Sequence, residues 1–408
     1  MIKGLAGLAR AAEAAAATEA SSAPATSSTP SLLLPRLRCR FAGMVAQDGA
    51  GERYRAALAA EGVEPLLLVA AGDGNDASDT ATTARCLCLV TPDGERTMRT
   101  CLGAASTLCS ADAQLGPRGW LEIELPSAAG SAPPPSPPPP SPQNQQPRML
   151  VHLEGYTLYR PQLAAEALRA ARRRGGQTSL DLASFELVRA RWQDALLPLL
   201  REGLVDLLFC NEDEARELAE AAGLGVDSGE KQKKKEKRGA KAPPPPHPEM
   251  CPQAAAAQRF LVEQGARACV VSLGARGCAA LAADRDKEGR TGGKKAGAAS
   301  KAAGKTEAAS ARGCSLRSPL IDTVGAGDTF TAGFLFAWLG GASLAGCCEL
   351  ACAAGAEVVQ VAGASLGDEA WRRLAERAAE ALRPAGTGAA AESPPALYQA
   401  PAAVPVPA

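Results

Sequence analysis

Short apolar runs separated by amphipathic stretches organise the middle of the chain. Met149–Gly155 (MLVHLEG), Thr178–Ala183 (TSLDLA), Val205–Asn211 (VDLLFCN) and Ala268–Gly274 (ACVVSLG) have the length and continuous apolar character of strands buried on both faces. Helical periodicity follows at 161–174, closed by Gly175-Gly176, and again at 185–202 and 212–222. Earlier, 85–90 (RCLCLV) and 95–101 (ERTMRTC) flank Thr91-Pro92-Asp93-Gly94, whose turn chemistry predicts a hairpin. Strands spaced by helices form βαβ units, so the expected class is α/β with a mostly parallel sheet covered on both faces. Ligands of such sheets bind beyond the carboxyl ends of the strands, and each strand here ends in a polar or glycine motif.

Low-complexity tracts interrupt this pattern. Residues 127–147 are Pro/Ser-rich, 225–250 carry KQKKKEKRGAKAPPPPHP, 284–312 form a Lys/Gly/Ala tract, and the tail from 385 is Ala/Pro-rich. Such segments bury too little to offset chain entropy. They read as insertions in, and a disordered tail (385–408) after, one domain spanning 35–384. Residues 1–34 hold a partial helix at Met1–Arg10 and an Ala/Ser/Thr-rich segment.

Composition then narrows the function. The chain has 408 residues with 44 basic and 44 acidic side chains, a balance that gives no electrostatic reason for a nucleic-acid or anionic-membrane partner. Aromatic residues at 4% also argue against a base-stacking surface. No run reaches the ~18–20 apolar residues that span a bilayer. The 13 cysteines lack paired zinc-ligand spacing and only two histidines exist, so reduced thiols and a cytoplasmic location are expected. His152, mid-strand, reads as a satisfied core histidine.

Chemistry concentrates in Ile321-Asp322-Thr323-Val324-Gly325-Ala326-Gly327-Asp328-Thr329-Phe330. The small residues Gly325, Ala326 and Gly327 leave amides uncovered where an Ala-rich helix starts, a setting that binds anions. Asp328 in the first turn can take a proton from a hydroxyl while those amides hold a transferring phosphoryl group. No Gly-Lys-Ser/Thr follows, which excludes a Walker A loop. A tight turn with a dipole-complementing Asp is the plainer alternative. The early glycines, Gly43 to Gly51, lack the spacing of a dinucleotide fingerprint.

The run 322–330 resembles the C-terminal signature of the PfkB carbohydrate kinases, which include ribokinase and adenosine kinase. Asn211-Glu212-Asp213-Glu214 resembles that family's Asn-x-x-Glu motif, and Ser272-Leu273-Gly274-Ala275-Arg276-Gly277 its nucleotide-site turn. Residues 43–51 are similar to an early Gly-x-x-Gly-x-Asp-x-x-Gly segment with Ala46 in place of the second glycine. The hairpin at 85–103 matches a lid, and Ala353 to Gly363 the helix beside the adenine. HLEGYTLY and SLDLASFE resemble adenosine-kinase-like and plant-type members most. The resemblance implies a three-layer ribokinase-like α/β/α fold with a small β lid, and ATP and Mg2+ as cofactors. It implies catalysis by Asp328 with the 325–327 amides, and nucleotide contacts at Asn211, Ser272, Gly274, Gly277 and Thr323. Asn211 and Glu214 would organise the metal through water, the alternative being a helix cap and a solvated helix residue, and Gly274 and Gly277 otherwise only form a turn. Asp181 would face the substrate or metal, or serve as a strand-end turn residue, and Arg96 and Arg99 either contact the substrate from the lid or are solvated strand charges. That substrate is a small-molecule alcohol: a sugar, cyclitol or nucleoside. Lid strands either pair between subunits or face solvent, giving a homodimer or a monomer.

The family's opening strand and Gly-Gly segment have no counterpart in the sequence. One expectation is that ~50–70 residues of the domain precede Met1, at the rise of ~3.3 Å per residue that strands need. The alternative is a transit peptide at 1–34, against which stand Glu13, Glu19 and the scarcity of arginine. A catalytically idle scaffold that binds partners through its insertions is the competing function, motivated by the incomplete pocket and the Lys-rich tract.

Overall fold

The computed structural model describes residues 1–22, 34–70, 81–91, 96–108, 149–224, 249–283 and 306–383. The first helix, α1 (Ile2–Ser22), precedes a parallel pair, β1 (Cys39–Ala46) and β2 (Val63–Ala70), joined through α2 (Gly49–Ala60). Then β3 (Arg85–Val90) and β4 (Arg96–Cys101) form the expected antiparallel hairpin, with its turn at 92–95 outside the described residues.

The main sheet begins with β5 (Leu150–Leu153), β6 (Gln177–Asp181), β7 (Leu207–Asn211) and β8 (Ala268–Ser272), all parallel. It ends with β9 (Gly277–Ala283) and β10 (Thr306–Arg312) as antiparallel neighbours, in the order β10-β9-β8-β7-β6-β5. The period of two along its strands separates two cores. Leu208, Cys210, Cys269, Val271, Ala279 and Leu281 pack on one face. Helices α3 (Pro161–Arg173), α4 (Phe185–Arg191), α5 (Leu197–Arg201), α6 (Glu212–Ala221) and α7 (Pro252–Gln264) cover it. The alternate residues Leu207, Phe209, Ala268, Val270, Cys278 and Ala280 face the other layer. There α8 (Ala326–Gly340), α9 (Leu344–Val358) and α10 (Asp368–Ala381) pack together with α1. The result is the expected three-layer α/β/α arrangement. Every cysteine among the described residues is a free thiol, and Cys347 and Cys348 are buried as small apolar side chains.

Three boundaries differ from the sequence reading. Residues 306–312, assigned to the Lys/Gly/Ala tract, are an edge strand; one paired neighbour and a single buried side chain, Ala311, let a polar sequence suffice. The helix at 185–202 is interrupted by a π-turn at Trp192–Leu196, because Pro198 has no N–H for the α-helical ladder. Helix α1 runs past Arg10 and buries Leu5, Leu8 and Ala12 in the shared core, so it belongs with the domain. The tracts at 127–147, 225–248 and 284–305 and the tail from 385 lie outside the described residues, whereas Met250 is a core residue. Among the described residues no helix is long and apolar enough to cross a membrane.

At the amino ends of β6 and β7, away from the strand ends that carry the glycine motifs, Asp206 is 4% exposed. Its carboxylate accepts bonds from the Thr178 amide at 2.9 Å, the Thr178 hydroxyl at 3.2 Å and Arg172 at 2.9 Å. Asp206→Ala strands the buried Thr178 amide and takes the ion pair from the partly exposed Arg172, which keeps its bond to the Gly203 carbonyl. It is expected to cost about 2 kcal/mol, read as a lower urea midpoint. An unchanged midpoint would mean that this staple carries no stability.

Candidate active site

The carboxyl ends of β5 to β7 meet the N-terminus of α8. Gly325 caps α8 with φ +78°, and a Cβ there would lie 2.5 Å from the Cβ of Ala364. Beneath it, the buried Asp322 accepts from the Val324 amide and the Gly363 amide, both at 2.9 Å, and Ile321 donates to the Val359 carbonyl at 2.9 Å. The glycine turn is thus sewn to the segment that follows α9. Gly327 has nothing within 4 Å of where a Cβ would stand, so the turn is open on that side. One expected donor is diverted: the Ala326 amide bonds the Thr323 carbonyl at 3.2 Å, which leaves Gly325 and Gly327 as the amides of the trio with no backbone acceptor among the described residues. Asp328 stands in the first turn with its side chain 52% exposed, 3.3 Å from the Met1 amino group.

Three carboxylates gather beside it. Asp181 ends β6, accepts from the Ala183 amide at 2.8 Å, and is 3.5 Å from the Thr331 hydroxyl of α8. Burial, then the charges of Glu214 and Asp328, push its pKa up to about 7. Glu154, one residue past β5, has a half-exposed side chain. Burial and then Asp181 and Asp328 push it up to about 7 as well. Gly155 is required there, since a Cβ would meet the carbonyl oxygens of Asp181 and Leu182 at 2.5 Å. Glu214 is buried and also lifted to about 7, first by burial.

Asn211 and Glu214 form a capping box on α6. The Asn211 side chain accepts from the Glu214 amide at 2.8 Å, while Glu214 accepts from the Asn211 amide and side chain, both at 2.9 Å. The alternative of a solvated helix residue therefore fails for Glu214. His152 departs from the satisfied core histidine expected. Its Nδ1 lies 2.8 Å from the Ser179 hydroxyl, but its buried Nε2 has no partner among the described residues.

Ser272 ends β8 directly beside Asn211. The following turn uses Gly274 at φ +59°, open to space, and Gly277 at φ +108°, where a Cβ would strike the Ala311 carbonyl at 2.0 Å. An ion pair between Arg276 and Glu212, with Arg276 also donating to the Glu249 carbonyl at 2.7 Å, fastens this turn to α6. Cys314, Ala353, Ala356 and Gln360, together with the charged side chains of Arg317, Glu357, Arg373 and Arg377, line a cavity of about 110 Å³. Thr323 contributes its carbonyl to the glycine turn.

The lid residues are not brought into this group. Arg99 is exposed on β4 opposite Leu87 and makes no hydrogen bond or ion pair with Asp328, Asp181 or Glu154. The Arg96 side chain lies outside the described residues. Asp48 of the early glycine segment caps α2 and receives the Thr83 hydroxyl at 2.6 Å and the Thr83 amide at 3.0 Å. Those bonds, the hydroxyl first, hold its pKa down to about 2. Sequence reasoning missed Glu154 and the Arg276–Glu212 pair. The signal for Glu154 was its place just beyond a buried strand's carboxyl end.

Residues 140–371 match the family model described as pfkB family carbohydrate kinase. No curated protein matches the sequence. Among solved structures, the adenosine kinase from Sinorhizobium meliloti is 24% identical, with a TM-score of 0.55 over 84% of this chain and 78% of that one. A probable sugar kinase protein from Rhizobium etli is 22% identical, with a TM-score of 0.56 over 92% and 81%. The adenosine kinase from Schistosoma mansoni in complex with 2-fluoroadenosine is 17% identical, with a TM-score of 0.56 over 81% and 75%. At these identities the solved structures establish the fold, and the family model covers more than half of the chain. The chain belongs to the pfkB family of carbohydrate kinases.

Proposed function

We propose that this chain is an ATP-dependent kinase that phosphorylates a hydroxyl of a sugar, cyclitol or nucleoside, with Asp328 as general base. The observation that carries this reading is Asp328 in the first turn of α8, next to the Gly325 and Gly327 amides. Asp328 takes the proton of the attacking hydroxyl. The two amides and the positive end of α8 stabilise charge on the phosphoryl group in transfer. ATP supplies that group, and Mg2+ neutralises its phosphates.

The residues present fit both. The missing Cβ atoms of Gly274 and Gly327 leave room for phosphates against the backbone. Ser272, Gly274 and Gly277 line the nucleotide, and the cavity at Cys314, Ala353 and Ala356 receives its base. Mg2+ keeps several waters and takes one or two carboxylates with substrate phosphates. Asn211 and Glu214, already bonded to each other, would hold it through water, and Asp181 adds a hard oxygen donor. Glu154 faces the acceptor side, where a carboxylate can bind hydroxyls.

Two experiments follow. Incubation with Mg-ATP and a pooled set of sugars, cyclitols and nucleosides should yield a product carrying one added phosphoryl group, identified by mass. Nucleotide binding without any phosphorylated product would favour the idle scaffold. Separately, Gly325→Ala should weaken Mg-ATP binding by about tenfold or more in calorimetry. The left-handed backbone alone costs ~1–2 kcal/mol for alanine, and the methyl collides with Ala364. Unaltered affinity would remove this turn from the nucleotide site.

A further inference from the structure

We propose that His152 is a positioning residue of the acceptor pocket, its buried Nε2–H set against the Glu154 carboxylate. The proposal rests on the kinase reading above for what the pocket binds, and on local geometry for the contact itself.

Alternation along β5 places His152 and Glu154 on the same face, and the parallel register sets Ser179 of β6 directly beside His152. The imidazole is 5% exposed and packs against Phe209 with ring centroids 6.5 Å apart. Its Nδ1 is 2.8 Å from the Ser179 hydroxyl, which is itself fully buried and whose side chain has no other partner among the described residues. A buried hydroxyl needs an acceptor for its proton, and Nδ1 is the acceptor within reach. Ser179 therefore donates to Nδ1, which puts the single proton of the neutral ring on Nε2. Burial keeps the ring neutral by holding its pKa down to about 3.

Nε2 is the orphan. It has no hydrogen-bond partner among the described residues and lies 3.9 Å from Glu154 Oε1, longer than a hydrogen bond but near enough for the N–H dipole to act on the carboxylate. A donor aimed at this oxygen orients the carboxylate and favours its charged form. The carboxylates of Asp181 and Asp328 and the Met1 amine also act on Glu154. The imidazole thus sets how well Glu154 receives acceptor hydroxyls without touching the nucleotide.

Nitrogen-15 NMR of the wild-type imidazole tests the tautomer and needs no substrate. A protonated Nε2 and a lone pair on Nδ1 are expected; the opposite tautomer overturns the proposal. Kinetics test the role. His152→Leu should raise the acceptor KM by roughly tenfold or more, with the ATP KM within about twofold, and His152→Gln should recover part of the loss. No change, or equal change in both KM values, overturns it. If the wild type phosphorylates no acceptor, the kinase reading fails by itself. The contact is then decided by carbon-13 titration of Glu154, whose pKa should rise in His152→Leu; an unmoved pKa overturns the contact.

Discussion

Replacing Asp328 by asparagine is expected to lower turnover by ~10²–10⁴-fold, the usual contribution of a positioned general base. Asparagine keeps the shape and the place in the first turn of α8 but cannot accept the proton of an attacking hydroxyl. The Asp328 side chain is half exposed, so the substitution opens no cavity and should leave the unfolding midpoint nearly unchanged. Mg-ADP affinity should also persist, because the Gly325 and Gly327 amides belong to the backbone. Turnover near the wild-type value would remove Asp328 from the chemistry. Equal loss of binding and turnover would make it a binding group instead.

The second large effect concerns Asp181. Its carboxyl is lifted to about 7, chiefly by burial and next by Glu214. Because the folded protein holds this proton more tightly than the unfolded chain, its contribution to stability is fully present below about pH 4. It is lost as pH rises through about 7. The displacement corresponds to about 4 kcal/mol, and sharing of charge with Glu154 and Glu214 reduces what one substitution recovers. Asp181→Asn is therefore expected to stabilise the ligand-free protein by about 2–4 kcal/mol at pH 8 and by little at pH 4. Urea denaturation at the two pH values provides the test. Similar destabilisation at both would show that Asp181 is a packing residue held without electrostatic cost.

How much of this was legible in the sequence varies with the range of the interactions involved. The buried strands β5 to β8 and the helices that follow them carry their own periodicity, and local pattern identified them. β10 escaped because an edge strand with one buried side chain, Ala311, has no apolar alternation to display. The π-turn before Pro198 could have been read from that proline, which cannot continue the ladder. At the candidate site, the place of Asp328 beside the glycine turn was legible because it lies within one helical turn of Gly325. Glu154, the Arg276–Glu212 pair and the orphan nitrogen of His152 depend on which strands and turns become neighbours, and single-chain spacing does not encode that. The diversion of the Ala326 amide to Thr323 is a matter of turn geometry that the letters Gly-Ala-Gly leave open. Conversely, Arg99 drew attention as a lid cation, yet it stands exposed, apart from the carboxylates.

The most direct test of a phosphoryl-transfer centre at the head of α8 is ADP release from Mg-ATP by the purified protein, with and without a panel of sugars, cyclitols and nucleosides. ADP release that rises well above the acceptor-free rate for at least one class of alcohol is the predicted result. Mg-ATP binding with no acceptor-dependent release across the panel would contradict it, leaving a nucleotide-binding scaffold in its place.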